Sequence, residues 1–142
     1  MEFDLARFSG TLVSEMADAV VYADAEGRIC FWNSGAERIF GFARAEASGQ
    51  SLDIIIPEPL RRRHWDGFHE TVRTGKSHYE AGALLAVPAI RKDGTRISVE
   101  FMILPFRDDA GGICGIAAVM RDVTRQFEEM RALRKQLSAK QG

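Results

Sequence analysis

The chain has 142 residues, of which 46% are hydrophobic, so it can bury one modest core, and nothing in it suggests a second domain. A formal net charge of -1 excludes a general basic surface for nucleic acid, and we expect no nucleic-acid binding. No apolar stretch approaches the roughly 18 to 20 residues of a membrane span, and no signal peptide precedes the first acidic residues, so we expect a cytoplasmic protein without membrane contact.

The two cysteines, Cys30 and Cys114, each lie in an apolar, strand-like run without CxxC spacing. This pattern favours buried, reduced thiols over a disulfide or a metal pair.

Residues 1–17 show apolar side chains near helical spacing and predict an N-terminal amphipathic helix. Such an apolar face must pack either on the domain or on a second copy of itself. The next two strands, 19–24 and 28–33, flank the turn Ala25-Glu26-Gly27 and predict a hairpin.

Several helical segments follow the hairpin. Ser34 is the predicted cap of a short helix over 35–40, which Gly41 ends, and residues 44–47 form a second short piece. Residues 52–56 are apolar and of ambiguous type. A longer helix is predicted from about Leu60 to Thr74, with Gly75 as its stop.

The remainder predicts three strands, 79–90, 96–106 and 113–120, separated by turn signals. Alternation in the middle strand indicates one buried and one wet face. The elements together predict an α+β fold: a five-stranded antiparallel sheet with short helices on one face.

Residues 123–142 predict a C-terminal connector helix after a central domain of residues 18–122. Val123, Met130 and Leu137 fall seven apart, with Leu133 three after Met130, in an a/d register. Two heptads are too few to be stable alone, so the helix either pairs with a partner helix or folds back on the sheet. Because the pattern is still in register at its end, an output domain could follow in a longer parent chain.

Four motifs carry a family resemblance: Asp24 to Ile29, Trp32 to Phe42, Arg91 to Thr95, and Arg121 to Thr124. In this order and at these distances, they resemble a PAS sensor domain over roughly residues 15–124. The resemblance implies the PAS fold and a signal-transduction input. We expect no catalysis, because the chain lacks a nucleotide loop, a metal-ligand set and a nucleophile with a neighbouring base.

The run from Ile56 to His64 is similar to the haem-PAS oxygen sensors, whose proximal histidine follows such a run on this helix. The resemblance implies that haem b binds here, with His64 as the iron ligand and Trp65 and Phe68 beside it. The alternative is that His64 is a solvated or hydrogen-bonded helix residue, and that Phe68 is simply the buried face of the helix.

Opposite this helix, the haem sensors place an arginine or a methionine on the first long strand, but Ala83 to Leu85 provide neither. The implied pocket wall is therefore apolar: Leu84, Leu85, Val87, Val99, Phe101 and Ile103. Such a wall offers bound oxygen no hydrogen-bond donor, which favours carbon monoxide, nitric oxide or redox sensing over tight oxygen binding. Flavin photochemistry is disfavoured, because the central helix has no reactive cysteine.

The leading hypothesis is a haem-based sensor of a small diatomic ligand (CO, NO or O2) or of redox state, which forms a homodimer through its terminal helices. The alternative is a PAS module without haem that acts in dimerisation and signal relay, or that binds another small apolar ligand.

Overall fold

A computed structural model describes residues 2–76 and 85–141. The helices are α1 (Leu5–Glu15), α2 (Ser34–Phe40), α3 (Arg44–Ala47), α4 (Arg61–Thr74) and α5 (Thr124–Gln141), with 3-10 turns at Leu52–Ile55 and Glu58–Leu60. The strands are β1 (Ala19–Asp24), β2 (Ile29–Trp32), β3 (Leu85–Ile90), β4 (Arg96–Arg107) and β5 (Ile113–Asp122).

The strands form one antiparallel sheet in the order β2-β1-β5-β4-β3. This confirms the predicted five-stranded α+β fold. The segment of ambiguous type is a 3-10 turn, and residues 79–84 of the predicted long strand lie outside the described residues.

The first hairpin forms through local turn chemistry. Asp24 Oδ1 accepts hydrogen bonds from the backbone N–H groups of Glu26 at 3.0 Å and Arg28 at 2.9 Å. Gly27 has φ 82°, in the left-handed region that glycine adopts without strain. The predicted turn is thus confirmed.

Asn33 joins the sheet to the helices. Its Oδ1 accepts from the N–H groups of Val20 and Ala36, and its Nδ2 donates to the carbonyls of Val13 and Asp18, all at 2.8–3.0 Å. The prediction that Ser34 caps α2 is wrong by one residue. Asn33 is the cap, because its side chain is buried where it can serve β1 and α2 at once.

The core lies between the inner sheet face and the helices, in two clusters. The larger one is centred on Trp32, Phe40 and Val99. The smaller one joins Phe68 of α4 to Ala23, Ile113 and Ile116 of the sheet. The second cluster fixes α4 over β1 and β5 and so positions the candidate site.

The outer sheet face is uncovered. Cys30 and Cys114 are both exposed on their strands, so the prediction of buried thiols is wrong. Apolar neighbours in sequence predict a strand, but they do not determine whether another layer covers that side of it. The same face carries exposed Leu104 and Phe106, so the wet face of the middle strand is partly apolar.

The two terminal helices contribute no buried residue to the domain. The alternative in which the C-terminal helix folds back on the sheet is therefore wrong: α5 is attached at its first residues and exposed beyond them. Among the described residues, no helix has the length and apolar character that crossing a membrane requires.

Candidate cofactor site

The helix that carries His64 has a hydrogen bond at each end, one from a side chain and one from the backbone. Arg61 Nε donates to the Ile56 carbonyl at 3.1 Å at the start of α4. At the end, Gly75 has φ 73° and its N–H donates to the Thr71 carbonyl at 2.8 Å. Phe68 and Thr71 are the buried residues of α4 and define its inner face.

His64 lies in the first turn of α4 and is half-buried. Its Nδ1 is buried and has no hydrogen-bond partner. The imidazole centroid is 4.7 Å from the Trp65 ring, edge-on, and 5.9 Å from the Phe68 ring. An aromatic, water-poor setting of this kind offers little to stabilise a charged ring.

Burial lowers the pKa of His64 from its ordinary 6.5 to about 4. The negative charge of Asp53 opposes this shift, and the neighbouring His69 lowers the pKa further. The ring is therefore neutral at pH 7 and keeps an unshared lone pair, which is the form of histidine that binds metals.

Trp65 attaches α4 to the rest of the domain. Its indole Nε1 donates to Asp53 Oδ1 at 2.7 Å, and its six-membered ring covers Gly27 so closely that a Cβ there would overlap it. This side chain thus connects α4 to the 3-10 turn and to the β1–β2 hairpin. On its far side, the exposed His69 stacks on Trp65 at 5.8 Å.

The predicted wall residues lie on the inner face of two paired strands. Leu85 is opposite Phe101 and Val87 is opposite Val99, and cross-strand partners share a face. Ile103 packs with Trp65 and Phe68 in the smaller core cluster. The structure therefore brings the predicted residues Trp65, Phe68 and Ile103 together.

The remaining wall residues lie apart from that group or differ in exposure. Val99 and Phe101 belong to the neighbouring larger cluster. Val87 stays 39% exposed, and Leu84 lies outside the described residues. The described wall side chains are all hydrocarbon, so they provide no hydrogen-bond donor.

Two contributors to the site were not predicted from the sequence. Asp53 lies in the segment of ambiguous type, and only the 3-10 geometry turns its carboxylate towards Trp65. Gly27 was assigned to the turn alone, although it also leaves the space for the Trp65 ring. Among the described residues, no group of three or more metal-ligating side chains occurs.

Comparison with known proteins identifies the class. The sequence pattern of the PAS domain matches residues 17–125, and the chain belongs to the PAS domain family. PAS domains act as sensory input modules, not as catalysts.

Particular relatives are similar over most of this chain. It is 38% identical to an uncharacterised protein of Azorhizobium caulinodans over 91% of this chain and 19% of that protein. It is 30% identical to the sensor protein FixL of Bradyrhizobium diazoefficiens, over 87% and 24%. It is 26% identical to the oxygen sensor protein DosP of Escherichia coli, over 93% and 16%. The chain thus spans about a fifth of the length of these relatives.

Solved structures agree on the fold. The PAS domain of a protein from Colwellia psychrerythraea has a TM-score of 0.75 at 21% identity, over 86% of this chain and 99% of that one. An RNA-binding light-oxygen-voltage receptor has a TM-score of 0.77 at 21% identity, over 94% and 37%. At these identities the likeness establishes the PAS fold alone.

Proposed function

We propose that this PAS domain is a sensor input that binds haem b through His64 and responds to a diatomic gas or to redox state. The observation that carries the proposal is the imidazole itself, which is half-buried and neutral, with an unpartnered Nδ1. A neutral imidazole has a lone pair for iron, and a ring held on a helix presents it in a fixed direction. The local resemblance from Ile56 to His64 points to the same role.

Each side chain has a distinct part in this proposal. His64 would hold the haem iron, and Phe68 and Ile103 would provide apolar surface next to it. When bound, haem supplies an iron that takes up diatomic gases and changes oxidation state. Trp65 is a positioning residue, because its bond to Asp53 holds α4 against the 3-10 turn.

The apolar wall bears on which gas is sensed. Leu85, Val99 and Phe101 have hydrocarbon side chains and would offer no hydrogen-bond donor, which tight oxygen binding at a haem would need. Carbon monoxide and nitric oxide depend less on such a donor. We therefore propose carbon monoxide, nitric oxide or redox state as the signal, although one similar protein is named an oxygen sensor.

The proposed signal leaves through β4 and β5. Val123 N–H donates to the Ser98 carbonyl at 2.8 Å, and Ser98 N–H donates to Thr124 Oγ1 at 2.9 Å. A shift of β4 would therefore move the first residues of α5. In a longer parent chain this helix would lead to an output domain, as in the much longer histidine kinase PdhS of Brucella, which is 28% identical over 89% of this chain.

A haem-free relay is the second candidate, and one observation favours it. Phe68 is only 7% exposed and packs directly on Ala23, Ile113 and Ile116, so α4 is already closed on the sheet. A domain that needs no cofactor would pack in this way. In this case the neutral His64 would be a half-buried helix residue without a ligand.

The two candidates are separated by titrating the purified protein with haemin and recording absorption in the oxidised, reduced and CO-bound forms. We expect a saturable Soret band at one haem per chain. It should be lost in His64→Ala and kept in His69→Ala, the matched control on the same helix. A protein that stays colourless, or a band unaffected by His64→Ala, would overturn the proposal.

A further inference from the structure

We propose that α4 is a hinged lid: its second half swings away from the sheet about Gly67 when Arg107 releases the helix end at Gly75, while the turn that carries His64 stays fixed. The lid would admit the ligand of the proposed function, on which this part of the proposal rests, because Phe68 fills the space beside the sheet in the closed form. The movement itself depends on no ligand.

Arg107 fastens the end of α4 to the sheet. Its Nη2 donates to the Gly75 carbonyl at 2.8 Å, and its Nη1 donates to the Gly111 carbonyl in the β4–β5 turn at 3.0 Å. A cation is favourable at a helix C-terminus, where the last carbonyls lack partners within the helix. Arg107 is exposed, so water can replace both bonds and this latch can release.

The turn that receives the latch is held by its own hydrogen bonds. Asp108 Oδ1 accepts from the N–H groups of Ala110 and Gly112, each at 3.0 Å. The Asp108 N–H donates to the Gly112 carbonyl at 2.8 Å. These bonds fix the turn around Gly111, so the part that moves on release is α4 and not the turn.

The first half of α4 is held by different contacts. Trp65 Nε1 donates to Asp53 Oδ1 at 2.7 Å, and the Trp65 ring packs against Gly27. These contacts lead to a 3-10 turn and to the β1–β2 hairpin, away from the latch. Release of the latch therefore frees the end of the helix and leaves the turn with His64 in place.

Gly67 lies between the two halves of α4. Among the described residues outside the helix's own backbone, a Cβ at this position would meet no atom within 4 Å, so packing does not require a glycine here. Glycine is disfavoured inside a helix because it loses the most conformational freedom there. The Gly67 carbonyl also accepts from Thr71 Oγ1 at 3.0 Å, a side-chain bond of the kind that bends helices. Both features favour a hinge at Gly67.

Opening about Gly67 would lift Phe68 off the sheet. In the closed form Phe68 is 7% exposed and packs on Ile113 and Ile116 of β5. Its exposure is unfavourable, so the open form is a minor state that an apolar ligand would stabilise by filling the vacated space. That space adjoins His64, whose ring centroid is 5.9 Å from the Phe68 ring. The lid thus gives a ligand a route to His64.

The test measures how often the lid opens without any ligand. In the whole chain with Cys30→Ser and Cys114→Ser, Ile116→Cys places a thiol beneath α4, where an aromatic disulfide reagent reaches it only on opening. Arg107→Ala should speed this labelling about tenfold, and Arg107→Lys, which cannot span both carbonyls, should speed it less. Gly67→Ala should slow it about threefold, because alanine stiffens the helix.

Val21→Cys, in the larger core cluster, reports global unfolding in the same background. Labelling at position 116 should be faster than at position 21 and should depend more weakly on urea, because the lid exposes little surface. Arg96→Ala, an exposed arginine on the same strand, is the matched control for Arg107→Ala and should change neither rate. Equal rates and urea dependence at the two positions would overturn the lid, as would an unchanged rate at 116 in Arg107→Ala or Gly67→Ala.

Haemin separates the lid from the proposed function. Arg107→Ala should take up and release haemin faster than the wild type and keep the wild-type Soret maximum, because His64 stays on the fixed turn. Uptake at the wild-type rate would overturn the role of the lid at the site. A protein that binds no haemin in any variant would contradict the proposed function alone, and the thiol labelling would still decide whether the lid exists.

Discussion

Arg121 donates two hydrogen bonds to Asp18, from Nε to Oδ1 at 3.1 Å and from Nη2 to Oδ2 at 3.0 Å, although 103 positions separate them in the sequence. Asp18 connects α1 to β1, and Arg121 lies near the end of β5. The pair therefore joins the bases of the two terminal helices, beside the bonds that connect Ser98 of β4 to the start of α5.

Replacing Asp18 with Asn should loosen this junction without unfolding the domain. The Arg121 side chain is 65% exposed, so the ion pair contributes little to overall stability, and the melting temperature should barely change. Amide hydrogen exchange at residues 122–126 should become faster, because the base of α5 loses one of its attachments. Arg125→Ala is the control and should leave the exchange rates at these residues unchanged. A large fall in the melting temperature of Asp18→Asn, or exchange no faster than in the control, would show that the pair does not hold the junction.

Asn33→Ala should be among the most destabilising substitutions in the domain. It removes four hydrogen bonds from a buried side chain and leaves buried backbone groups unpaired, so we expect the free energy of unfolding to fall by about 3 kcal/mol. Ser34→Ala is the matched control and should change it by less than about 0.5 kcal/mol. Urea unfolding measures both, and equal effects would contradict the assignment of Asn33 as the cap.

The space at Gly27 is filled by Trp65. Gly27→Ala should cost about 3 kcal/mol, since it combines backbone strain at φ 82° with the overlap of its Cβ and the indole ring. In a Trp65→Ala background only the strain remains, so the cost should fall to about 1 kcal/mol. Gly49→Ala is the control: φ is 80° there and nothing lies near a Cβ, so only the smaller cost is expected. Equal costs in both backgrounds would exclude the contact.

The half-buried imidazole of His64 should make stability depend on pH. Its pKa in the folded protein is about 4, below the 6.5 of the unfolded chain, so the unfolded state binds more protons between these values. Stability is then full above about pH 6.5 and is lost as the pH falls towards 4. Because the ring is only half-buried, we expect a loss of roughly 2 kcal/mol.

The measurement is urea unfolding at pH 7 and pH 4.5 for the wild type and for His64→Phe. The difference between the two proteins cancels the titration of the carboxyl groups, and His64→Phe should show the weaker pH dependence. His69→Ala, which alters an exposed ring, should behave as the wild type does. If all three respond equally to pH, His64 is not buried in its neutral form.

The sequence predicted those features that depend on neighbours along the chain. Alternation in β4, the turn at Asp24 to Gly27 and the stop at Gly75 are local patterns, and the structure confirms them. Asn33 and Ser34 are equally suited to cap a helix. The choice between them depends on β1 and Asp18, which lie elsewhere in the sequence.

Features that depend on how the layers assemble were not predictable. Whether Cys30 and Cys114 are buried depends on what covers the outer sheet face. The path of α5 could not be read from its heptads, because the same stripe suits the sheet or a second helix. At the site, helical periodicity placed His64 on α4, but its burial comes from Trp65 and Phe68 packed around it.

The central claim is that His64 is the iron ligand, and resonance Raman spectroscopy of the reduced, haem-loaded protein tests it most directly. We expect an iron–histidine stretching band in the wild type and in His69→Ala, and its loss in His64→Ala, with recovery of an iron–imidazole band on adding free imidazole. An iron–histidine band that persists in His64→Ala, or its absence from the wild type, would contradict the claim.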